Sequence, residues 1–75
     1  MSVSEAKRLG LSQTAVEILM NIPYDEYVTS RNISKKTGMT ARQIGAVISS
    51  RLLYRHVERI PAESKGEGWK YKRTA

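Results

Sequence analysis

The sequence predicts an α+β domain, mainly α, with three helices, a small antiparallel β-sheet and a C-terminal β-hairpin. Three observations carry this. Apolar residues recur at helical spacing in separate segments before residue 54. The run Trp69–Lys72 alternates aromatic and basic side chains, the period of a strand with one buried face. Between it and the β-branched run at Val57 lies a loop rich in Gly, Pro and charge, Pro61 to Gly68. At 75 residues the chain has room for one domain, and a domain this short buries only about 60–65% of its unfolded surface.

The elements follow in order. Residues 1–11 have little periodicity and are expected as an N-terminal tail, residues 12–73 as the domain, and residues 74–75 as its end. Ser12 is placed to cap a first helix running from Gln13 to about Asn21. Ala15, Ile18, Leu19 and Ile22 would form its buried face, and Pro23 stops it. Tyr27, Val28 and Thr29 suit a brief strand. Ser30 is expected to cap a second helix, Arg31 to Thr37, closed by Gly38 in a left-handed conformation. Thr40 caps a third helix, Ala41 to about Tyr54, whose Ile44, Val47, Ile48 and Leu52 turn to the core. Val57–Ile60 and Trp69–Lys72 complete the hairpin. Trp69 and Tyr71 are assigned to its core face and Leu53 to packing beneath it, while His56 is expected to be exposed.

Charge narrows the function. The net charge is +6, unevenly placed. Residues 1–30 set Lys7 and Arg8 against Glu5, Glu17, Asp25 and Glu26, a balance of −2. Residues 31–75 set eleven Lys or Arg against Glu58, Glu63 and Glu67, a balance of +8. That asymmetry points to a polyanionic partner approached from the C-terminal half. With no cysteine and one histidine, neither a disulfide nor a thiolate or multi-histidine metal site is available. No nucleophile stands beside a base, so the chain is not read as an enzyme and no cofactor or small-molecule ligand is implied. No apolar run approaches the roughly 20 residues of a membrane span, and MSVSEAKRLG lacks the apolar stretch of a secretory leader. The expected location is cytoplasmic (nucleoid-associated), or nuclear in a eukaryote, with no membrane partner.

The segment SRNISKKTGMTARQIGAVISSRLLY joins two short helices through a tight turn. Its Ile33, Gly38, Ile44, Val47 and Ile48, followed by LLYRHVERIP and SKGEGWKYKR, resemble the winged helix-turn-helix family over about residues 12–73. The resemblance implies sequence-specific binding of double-stranded DNA, with the third helix in the major groove and the hairpin acting as a basic wing on the backbone or minor groove. A small transcriptional regulator fits that format.

On this reading Thr40, Arg42, Gln43, Ala46, Ser49 and Ser50 form the reading surface. Arg42 suits the guanine edge and Gln43 adenine, while Ala46 permits close approach. Ser30, Arg31 and Lys35 at the second helix would hold phosphate. Lys65, Lys70, Lys72 and Arg73 would supply the wing contacts. One unit covers little DNA, so a homodimer on a repeated site is one expected arrangement. Two alternatives are a protein–protein adaptor built on an apolar patch at Met20, Met39 or Leu53, and an architectural factor that bends DNA in recombination or excision.

Overall fold

The apolar residues picked out by spacing converge on one core. The computed structural model describes residues 3–8, 10–53, 55–63, 66 and 68–74. Helix α1 (Val3–Arg8) and helix α2 (Gln13–Met20) precede strand β1 (Val28–Thr29). Helices α3 (Ser30–Thr37) and α4 (Ala41–Val47) follow, and a π-helical turn (Ile48–Leu52) continues α4. Strands β2 (Val57–Pro61) and β3 (Trp69–Arg73) complete the chain. The three predicted helices are α2, α3 and α4. Helix α1 is additional: the N-terminal residues expected as a tail contain a six-residue helix closed by Gly10 at φ 81°. That helix packs on α2. Six residues are too few for periodicity to register in the sequence.

Ile18, Leu19 and Ile22 from α2 and its exit meet Ile33 of α3, Ile44, Ile48 and Leu52 of the α4 segment, and Val28, Val57 and Tyr71 of the sheet. The sheet order is β1-β3-β2, antiparallel throughout. Tyr71 lies opposite Val28 on one side and Arg59 on the other. Burial falls along β3 toward the hairpin turn. Tyr71 is 3% exposed, but Trp69, expected in the core, is 39% exposed. It pairs with Pro61 at the hairpin end, past the last core residue. The Arg59 guanidinium covers its ring at 4.0 Å instead.

Local chemistry sets the helix boundaries. Ser12 caps α2, its Oγ accepting from Ala15 N–H at 3.2 Å. The cap of α3 is Thr29 rather than Ser30, so the helix begins one residue earlier than expected. Thr29 Oγ1 accepts from Asn32 N–H at 3.2 Å, and Asn32 Oδ1 accepts from Thr29 N–H at 3.0 Å. This reciprocal box is open to Thr29 because Asn32 lies three residues on. Ser30 meets Ile33 there, which has no side-chain acceptor. Between α3 and α4, Gly38 takes φ 79°, Ser34 Oγ donates to Met39 O, and Thr37 Oγ1 donates to Ile33 O at 3.0 Å. Thr40 caps α4 as expected.

The third helix differs from expectation at its end. Ile44, Ile48 and Leu52 are spaced by four residues, whereas an α-helix turns in 3.6. The mismatch is absorbed by the π-helical turn, in which Leu53 N–H donates to Ile48 O at 2.8 Å, five residues back. The helix therefore stops at Leu52, and Leu53 is extended, bridging to Val57. His56, expected at the surface, is 8% exposed. Its N–H donates to Leu52 O and its carbonyl accepts from Thr74 N–H, at 2.9 and 2.8 Å, which pulls the residue beneath the chain end.

Candidate nucleic-acid interface

The α4 segment has one anchored side and one free side. Ile44, Ile48 and Leu52 are fully buried, while Thr40, Arg42, Gln43, Ala46, Ser49 and Ser50 are all exposed. Thr40 Oγ1 accepts from Gln43 N–H at 3.1 Å, which leaves the hydroxyl proton available to an external acceptor. Ser50 Oγ makes a long bond to Val47 O at 3.4 Å. Arg42 and Gln43 have no side-chain partner among the described residues. The twelve residues Ala41–Leu52 make a rod of about 18 Å at 1.5 Å per residue.

The π-helical turn also decides where Arg51 goes. Arg51 is seven residues after Ile44, almost two full α-helical turns, so an unbroken α-helix would set it over the core. The wider turn carries it to solvent instead. Sequence reasoning missed Arg51 for this reason, because it assumed a regular helix to Tyr54, itself outside the described residues. Arg55 was missed because it falls in the turn before β2.

Helix α3 presents Arg31, Lys35 and Lys36 to solvent. Ser30 is half-buried, and its Oγ lies 3.8 Å from where a Cβ on Gly45 would stand, so it faces α4 at the helix contact. A recess of about 130 Å³ is lined by Ser30, Arg31, Ala41 and Gly66. The starts of α3 and α4 and the hairpin connection thus border one surface. Lys65, expected at the wing tip, lies outside the described residues.

The sheet cations are arranged differently. Lys70 Nζ is 3.4 Å from Glu63 Oε1, and Lys72 Nζ is 3.4 Å from Glu58 Oε1. Lys72 also sits 4.8 Å from the Tyr27 ring centroid. Tyr27 Oη donates to the same Glu58 oxygen at 3.0 Å, and that bond holds the phenol above its usual pKa, with weaker contributions from desolvation and the carboxylate charge. Arg73 stacks on Tyr24 at 4.0 Å, and its Nη1 donates to Met20 Sδ at 3.5 Å. Thus Lys70, Lys72 and Arg73 are all engaged within the molecule. By contrast Arg31, Lys35, Lys36, Arg42, Arg51 and Arg55 have no ion pair, side-chain hydrogen bond or ring partner among the described residues.

No group of three or more His, Asp or Glu side chains suited to a metal ion occurs among the described residues, and none of their helices is long and apolar enough to cross a membrane. Comparison of the chain with protein-family models, with curated proteins and with solved structures gave no match.

Proposed function

We propose that the protein binds double-stranded DNA as a winged helix-turn-helix unit and acts as a small transcriptional regulator. In this reading α3 and α4 are the helix-turn-helix, α4 enters the major groove, and the β2–β3 hairpin is the wing. The observation that carries it is the free face of α4. Arg42 and Gln43 stand at the helix start with no side-chain partner among the described residues, flanked by the small Ala46 and the short polar Ser49 and Ser50. A major groove about 12 Å wide admits such a helix, and Arg and Gln at its start suit the guanine and adenine edges. Arg31 and Lys35 on α3 would take phosphates and set the register. The wing contributes less than its charge suggests, since Lys70, Lys72 and Arg73 already have partners.

The adaptor reading has less support among the described residues. Met20, Met39 and Leu53 pack against the core. Among the described residues the exposed large apolar side chains are Tyr24, Ile60 and Trp69. Arg73 and Arg59 cover two of these rings.

A mobility-shift titration at 50 and 200 mM salt tests the proposal. With six phosphates neutralised, affinity should fall about 1,000-fold between the two, from released counterions. Binding that is absent at low salt, or indifferent to salt, would reject it.

A further inference from the structure

A second basic surface lies at the opposite end of the α4 segment from Arg42. There a cleft of about 460 Å³ opens between the α1–α2 turn and the π-helical turn. Gly10 and Leu11 form one wall, Ser50 and Arg51 another, and Leu53, Arg55 and His56 complete the lining. We propose that this cleft binds a phosphate group.

Arg51 and Arg55 approach the cleft from two separate turns, and neither guanidinium has a partner among the described residues. A guanidinium presents a planar fork of donors that matches phosphate oxygens in pairs. None of the described residues lining the cleft is acidic. Lys7 and Arg8, both exposed at the end of α1, precede Gly10 and raise the local potential. His56 is buried, its main-chain groups are bonded to Leu52 and Thr74, and its Nδ1 has no hydrogen-bond partner among the described residues. The cleft is therefore cationic, walled on several sides, and large enough for a nucleotide-sized group.

Two sources could supply the phosphate. One is the backbone of a duplex read by α4, extended past the reading face onto the α1–α2 turn; this source rests on the DNA-binding reading. The other is a free nucleotide, which is independent of it. Amide NMR spectra of the whole chain titrated with AMP, and the salt dependence of duplex binding, separate them. Both are measured for the natural chain and for the double variant Arg51→Ala/Arg55→Ala. The two substituted side chains are exposed, so the fold should persist, and the unchanged amide spectrum away from the cleft verifies it.

AMP should shift Gly10, Leu11, Ser50 and His56, and the double variant should weaken that binding about tenfold or more. If the duplex supplies the phosphate, the slope of log affinity against log salt should also fall by about two in the double variant. A response to AMP with an unchanged slope assigns the free nucleotide as the source. A response to AMP with no duplex binding by the natural chain upholds the cleft and rejects the DNA reading. No AMP response together with an unchanged slope overturns the proposal.

Discussion

The helical pair and the sheet each carry a surplus of cations but use it in opposite ways. On α3, α4 and the exit from α4, the cations Arg31, Lys35, Lys36, Arg42, Arg51 and Arg55 stand without partners among the described residues. On the sheet, Arg59, Lys70, Lys72 and Arg73 each lie on a ring or beside a carboxylate. The net charge does not distinguish these groups. A cation paired to Glu58 or Glu63 brings a phosphate a charge already partly neutralised, whereas Arg31 brings all of it. The difference teaches that a basic hairpin need not be a strong polyanion contact, and that the available charge sits on the helices.

The largest expected effect is on the core that both regions share. Ile33 is fully buried between them, so Ile33→Ala should cost about 2–5 kcal/mol. A domain of this length is worth only about 4–11 kcal/mol in total. Thermal melting followed by far-UV circular dichroism and by Trp69 fluorescence should show both regions lost in one lowered transition. Two separate transitions would mean that the sheet and helices are independent.

Next is the contrast in charge itself. Arg31→Ala and Lys35→Ala should each lower the salt slope of duplex binding by about one. Lys70→Ala and Lys72→Ala should lower it by less. Fluorescence anisotropy titrations at several salt concentrations would measure this, and equal losses across the four variants would erase the distinction between the regions.

A smaller effect sharpens the helical side. Gly45 lies in the interior of α4, where an added Cβ would stand in ordinary contact with Ser30 Oγ at 3.8 Å. Gly45→Ala should stabilise the chain by about 0.5–1 kcal/mol through helix propensity. Denaturant midpoints would report it, and destabilisation would place the helices closer than this contact allows.

The smallest effect belongs to the sheet. Tyr27 has its pKa raised, chiefly by its bond to Glu58. A raised folded-state pKa contributes stability that is full below the unfolded value near 10 and is lost as pH rises through the folded value. Stability should therefore decline slightly above pH 10, and Tyr27→Phe should remove that component. An identical alkaline decline in both proteins, followed by urea unfolding, would mean the bond contributes nothing to it.

Much of this contrast was legible in the sequence and part was not. The core positions of α2 and α4, the caps Ser12 and Thr40 and the left-handed Gly38 follow from spacing and from residue chemistry that acts within one turn. The strand pairing of Trp69–Lys72 with Val57–Ile60 follows from alternation across a loop. What escaped depended on longer-range geometry. Trp69 has the parity of a core residue, but only the length of the helical layer tells whether the core reaches it. Arg51 has the phase of a core residue, and only the widened turn releases it. Lys70, Lys72 and Arg73 carry the charge of phosphate ligands, yet Glu58, Glu63 and Tyr24 reach them only after the hairpin closes and its end docks beside α2.

The most direct test selects binding sites from random duplexes with the natural chain and with Arg42→Ala. Reading by the exposed face of α4 predicts a preferred sequence for the natural chain. It further predicts that Arg42→Ala relaxes one base position by about 1–3 kcal/mol while the others keep their preference. Failure of the natural chain to enrich any sequence, or an undiminished preference at every position in the variant, would contradict it.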